Sequence, residues 1–120
     1  MTIGPCGELD GMNKVSLDAI ARERLEEATG SSSGRSSETV VGGHEKTLRQ
    51  TVLALRAGAA LQEHENPGEA TVHVLRGRVT LSAADTSWDG RTGDLLVVPD
   101  HRHSLLAHED SVILLTVAKL

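Results

Sequence analysis

The stretch Gly58-Ala-Ala-Leu-Gln-Glu-His64-Glu-Asn66-Pro-Gly-Glu69-Ala70-Thr-Val-His73-Val-Leu-Arg-Gly77 decides how this chain is read. It carries two glycines, a histidine two residues before an asparagine, and then Thr-Val-His-Val-Leu. Residues at i and i+2 on a strand share one face, so His64 and Asn66 are placed to act together. Asn66-Pro67-Gly68 is a turn signal between two extended runs. Val72 and Val74 share one parity, and His73 takes the other.

Working outward, the region from Glu38 to Leu120 has the same character throughout. Short apolar runs alternate with Gly, Pro and Asp. Strands are expected at 47–56, 61–65, 71–76, 78–83, 94–98, 104–108 and 112–118, with a second turn at Asp85-Thr86-Ser87. Strands this short and this numerous argue for an all-β barrel or sandwich. The run Ser111-Val-Ile-Leu-Leu-Thr-Val-Ala118 is apolar on both faces, as a strand buried on both sides would be.

Residues 1–37 differ. The first fifteen have little apolar pattern. Ser16 is a helix N-cap, and Leu17, Ile20, Ala21, Leu25 and Ala28 fall on one face of a helix over about 17–29. So short a helix needs something to pack on. Residues 30–37 are mostly Ser and Gly and read as a flexible linker. The expected organisation is an N-terminal segment, 1–37, and a barrel, 38–120.

Composition narrows the function classes. The 120 residues contain no Phe, no Tyr and one Trp, and the apolar share is 38%. The core is therefore aliphatic, which suits a pleated sheet and offers almost nothing for stacking bases. The net charge of −5 is spread along the chain, and Lys and Arg form no cluster. No nucleic-acid partner is expected. Cys6 is alone, so no intrachain disulfide forms. No signal peptide and no membrane span is expected, and the expected location is the cytoplasm. No Gly-rich phosphate loop and no activated Ser or Cys nucleophile stands in the sequence.

The motif glycines and histidine now bear on family. Cupins share a first motif of Gly, five residues, His, one residue, His, three or four residues, Glu, six residues, Gly. This chain resembles it at Gly58, His64 and Gly77, with Asn66 at the second His and Ala70 at the Glu. The second cupin motif runs Gly, five residues, Pro, one residue, Gly, two residues, His, three residues, Asn. Gly93-Asp-Leu-Leu-Val-Val-Pro99 is similar to its start. His103 takes its histidine after a one-residue deletion, and Ala107 stands at the Asn. The resemblance implies a small cupin barrel, a double-stranded β-helix or jelly roll. It also implies a homodimer.

The resemblance implies a divalent transition metal, Zn, Mn, Fe or Ni, held by three N and one O ligands. Here that set is incomplete. His64 and His103 remain, and Asn66 offers only an amide oxygen. Two residues stand as substitutes. Glu69 points outward in the family register and would turn inward only if the turn slipped by one residue. His101 lies in a loop and is read as exposed, with a ligand role as its functional alternative. His73 is read as facing the outer side of the sheet or a dimer contact, with an inward substitute ligand, turning together with Glu69, as its functional alternative. Trp88 is read as a packing residue, with a wall of the ligand pocket as its functional alternative.

Two functions follow from this reading. The first is a binding module holding a small molecule through His64, Asn66, His103 and Trp88. The second is a metal-dependent enzyme of dioxygenase or isomerase type, with His64, His103, Glu69 and His101 as its ligand set. The loss of two motif ligands favours the first.

Overall fold

The structure is a computed structural model. It describes residues 13–64 and 68–119, with the side chains of Glu63 and His64 outside that description. A single helix, α1 (Leu17–Gly30), precedes nine strands: β1 (Arg35–Val41), β2 (Leu48–Leu55), β3 (Ala60–His64), β4 (Gly68–Arg76), β5 (Arg78–Ala83), β6 (Thr86–Arg91), β7 (Leu95–Val97), β8 (His103–Ala107) and β9 (Ser111–Lys119). They form two sheets, ordered β1-β2-β9-β4-β7 and β3-β8-β5-β6, with antiparallel pairing throughout.

The aliphatic alternation builds the core directly. In β4, Ala70, Val72 and Val74 are buried on one face. In β5, Val79, Leu81 and Ala83 are buried in the same alternating way. These faces meet between the sheets with Leu53, Leu55, Leu105 and Ile113. Branched aliphatics fill this space without aromatic bulk because they interlock on a pleat.

Helix α1 covers the outer face of the larger sheet. Ser16 Oγ accepts a hydrogen bond from the Ala19 backbone N–H at 3.2 Å and caps the helix. Ile20, Ala21 and Ala28 then bury against Val52, Ala54 and Val112. The helix therefore docks on its own barrel. Strand β9 is sandwiched: Ile113 and Val117 join the inter-sheet core, and Val112 joins the cluster under the helix.

The segment read as a flexible linker is built differently. Its second half is the start of β1, where Arg35, Ser36 and Ser37 pair with Leu55, Ala54 and Leu53. Gly34 sits at φ 71° in the turn before it. The turn is held by Arg56, whose backbone N–H donates to Gly34 O at 2.8 Å and whose Nη1 donates to Ser31 O at 2.9 Å. Ser36 is buried and donates to Glu27 Oε1 at 3.1 Å. A serine run cannot advertise this, because its partners lie in β2 and α1.

Strand β6 also departs from the expectation, which placed a turn at Asp85-Thr86-Ser87. The reversal occurs one residue earlier, with Ala84 at φ 53°, and Thr86 already pairs with Ala83. Only Gly90 of this edge strand is buried, so it shows no apolar alternation.

Two motif glycines are explained by backbone geometry. Gly77, at φ 92°, joins β4 to β5, and a Cβ there would overlap Ser111 Oγ and lie 2.5 Å from Asp110 O. Gly93, at φ 93°, turns the chain into β7. Its N–H donates to Val74 O at 2.8 Å. Both conformations are costly for any side chain.

Candidate functional site: the open end of the barrel

The smaller sheet brings the motif histidines together. His64 of β3 is the register partner of His103 of β8, and His103 is in turn the partner of Ala83 of β5. Ala83 pairs with Thr86 of β6, so one row crosses four strands: His64, His103, Ala83, Thr86. The next row inward is Leu61, Leu105, Leu81, Trp88. A register shift in β3 between Leu61 and His64 brings about this pairing, because the unshifted register of the apolar row would set residue 63 opposite His103.

His103 is buried, with 6% of its surface exposed. It shares the inner face with Leu105 and Ala107, which are both in the core. Its Nδ1 donates to the His101 carbonyl oxygen at 3.1 Å. A carbonyl oxygen can only accept, so Nδ1 carries a proton in that bond. The loop supplying that carbonyl is tight: His101 N–H donates to Pro99 O at 2.8 Å.

A cavity of about 260 Å³ opens at this end, between the β5–β6 hairpin and the loop after β7. Its apolar wall is Leu81, Ala83, Val97 and Pro99. Asp85, Thr86 and His101 contribute the polar part. Trp88 stands at its side with 66% of its surface exposed.

The sequence-predicted site residues thus divide. His64 and His103 are backbone partners across two strands. His101 is an exposed loop residue that lines the cavity. Trp88 is not packing bulk, as it belongs to neither apolar cluster and sits on an edge strand at the cavity. Glu69 is corrected as a metal ligand. The register of β4 with β9 runs unbroken from Gly68 to Val74, so Glu69 is exposed with parity opposite to buried Ala70. Asn66 lies outside the described residues. His73 lies on the outer face, paired with Leu114 and Leu95.

Asp85, Thr86, Val97 and Pro99 were missed as site residues. Their only signal was proximity to Trp88 and to the Gly93–Pro99 run, since a turn and a short edge strand have no period to read.

The donor set does not fit a metal held as the resemblance implied. The position of the family carboxylate is Ala70, a methyl group buried in the inter-sheet core with 8% exposure. The neighbouring carboxylate, Glu69, points away from it. The donors described here therefore fall short of the three or four protein ligands such a site needs.

Comparison with solved structures returns the same architecture many times over. A conserved protein of unknown function from Streptococcus pyogenes matches with TM-score 0.68 and 28% identity, over 75% of this chain and 78% of that one. An RmlC-like cupin protein from Desulfovibrio desulfuricans matches with TM-score 0.61 and 25% identity, over 70% and 81%. Salicylate 1,2-dioxygenase from Pseudoaminobacter salicylatoxidans matches with TM-score 0.68 and 23% identity, over 84% of this chain and 33% of that enzyme. No family model matches the sequence, and no curated protein matches it. The chain is a small cupin-domain protein, all-β apart from α1, with the two-sheet cupin fold. No helix among the described residues is long and apolar enough to cross a membrane.

Proposed function

We propose that this protein is a small-molecule binding module whose ligand enters the open end of the barrel. The observation that carries the reading is the cavity of about 260 Å³ flanked by the exposed indole of Trp88. A largely apolar concavity with a few convergent polar groups is the usual form of a ligand site. Its volume is below the roughly 300–1,000 Å³ of drug-sized sites, so the ligand is small. His103 lies in the row beside the cavity, and its bond to the His101 carbonyl braces the loop that forms one wall.

The metal-dependent dioxygenase or isomerase reading is disfavoured by buried Ala70 and outward Glu69. A homodimer is proposed as the assembly. Leu95 and Val97, 62% and 74% exposed on the short edge strand β7, support it, because such residues on an edge are usually covered. Sedimentation velocity of the full chain would test it, and a monomer at micromolar concentration would remove that part.

The test of the binding reading is an NMR screen of uniformly labelled protein against small neutral, cationic and anionic compounds. Saturable shifts should cluster at Thr86, Trp88, Val97 and His101. Elemental analysis of the same sample, with His64→Ala and His103→Ala beside it, should find no stoichiometric Zn, Mn, Fe or Ni. Stoichiometric metal lost in both variants would reverse the choice. Absence of any saturable shift at the cavity would remove the binding reading.

A further inference from the structure

We propose that the cavity selects a small organic cation, a methylated ammonium group above all, through the indole of Trp88 and the carboxylate of Asp85. The proposal rests on the reading that the cavity is a ligand site, and it goes further by naming the charge and type of the ligand.

Three observations carry it. Trp88 is the only aromatic side chain in 120 residues, and it stands 66% exposed against the cavity. In a protein that builds its whole core from aliphatics, an apolar ligand alone would be served by another Leu or Val. What indole adds is a negative π face, which attracts cations more strongly than any other side-chain ring. Asp85 is the second observation. Among the described residues it is the only acidic one on the wall, and no Lys or Arg accompanies it there. The third is the remaining wall. Leu81, Val97 and Pro99 present hydrocarbon to the same space. A bare primary ammonium would lose its water against that hydrocarbon with only Asp85 and Thr86 to replace it. A trimethylammonium group spreads its charge over methyl groups, is weakly hydrated, and packs against hydrocarbon and indole alike.

The register explains why these groups meet. Trp88 pairs with Leu81, whose side chain is buried on the inner face, so the indole leaves the edge strand on the cavity side. Asp85 sits in the reversal that begins that strand, after Ala84 at φ 53°. The net charge of −5 adds a general attraction for cations. Among the described residues, an anion would find only His101 as a basic partner on this wall.

The experiment titrates the full chain with choline and with its uncharged carbon isostere, which has a tert-butyl group in place of trimethylammonium. Amide and indole NMR shifts are the readout. Choline should bind about tenfold more tightly than the isostere. Asp85→Asn should lower choline affinity about threefold and leave the isostere unchanged. Trp88→Phe should retain most of the preference, and Trp88→Leu should lower it about threefold. Each variant's unperturbed spectrum away from the cavity shows that it folds. Equal binding of the two probes would overturn the cation proposal and leave the binding module standing. So would shifts from neutral or anionic screening compounds with none from choline. If no compound of any charge shifts the cavity residues, the binding reading itself has failed, and this inference fails with it.

Discussion

The two ends of this barrel are made from the same strands and behave differently. At the closed end, Leu55, Val74 and Val79 are fully buried. Strand β6 approaches β4 so closely there that a Cβ on Gly90 would lie 2.9 Å from Leu96 Cδ1 and 3.0 Å from Val74 Cγ2. At the open end the same β5–β6 hairpin carries Ala83, Asp85 and Trp88 beside a cavity. One hairpin therefore supplies packing at one end and a ligand wall at the other. The difference lies in side-chain size along β6: glycine where the sheets close, tryptophan where they open.

That contrast breaks first at the closed end. Leu55→Ala should destabilise by about 3 kcal/mol, the usual cost of truncating a fully buried leucine, read by urea denaturation. A loss under about 1 kcal/mol would mean that this end is not tightly packed. Gly90→Ala should cost about 1–2 kcal/mol, because the new methyl must displace Leu96 or Val74. Unchanged stability would mean that the sheets can part there freely.

The open end should answer in the opposite way. Trp88→Ala should change stability by no more than about 0.5 kcal/mol, as expected of an exposed side chain, while abolishing the ligand-induced shifts at Val97 and His101. A large loss of stability would make Trp88 a structural residue after all.

The smallest effect belongs to the outer face of the smaller sheet, which neither end uses. Arg78 donates to Asp89 Oδ2 from Nη2 at 2.6 Å, and Thr80 donates to Asp89 Oδ1 at 2.7 Å. Hydrogen bonds from Arg78 and then Thr80 hold the Asp89 carboxyl below its ordinary 3.8, and the same pairing raises Arg78. A depressed carboxyl stabilises the fold above its unfolded value, and that contribution is lost as pH falls through the folded value. Asp89→Asn should therefore lower stability slightly at neutral pH and leave it unchanged once the carboxyl is protonated in both states. Both partners are solvent-exposed, so added salt should shrink the neutral-pH difference. A difference that persisted at the acid limit would show that the asparagine disturbs something other than charge.

Much of the fold was legible because its determinants are local. Alternation in Thr71–Arg76 and Arg78–Ala83 marks two half-buried strands. The N-cap at Ser16 and the spacing of Leu17, Ile20, Ala21 and Ala28 mark a helix. Gly77 and Gly93 mark turns that only glycine adopts without cost. The elements that escaped notice have no local signature. Strand β1 forms from serines because β2 offers an edge and α1 offers Glu27 to Ser36. Strand β6 forms through pairing with β5 while almost wholly exposed.

The site divides along the same line. The sequence by itself determined which residues are available: two motif histidines, no carboxylate at Ala70, one aromatic, an aliphatic core. Tertiary structure alone decided which of them meet. Register across β3, β8, β5 and β6 set His64 beside His103 and turned Trp88 to the same face as Leu81. Strand parity sent Glu69 outward while Ala70 entered the core. Residue type and period are properties of a short stretch of chain, whereas pairing is a global minimum over strands far apart in sequence, and a side chain's face follows from the pairing.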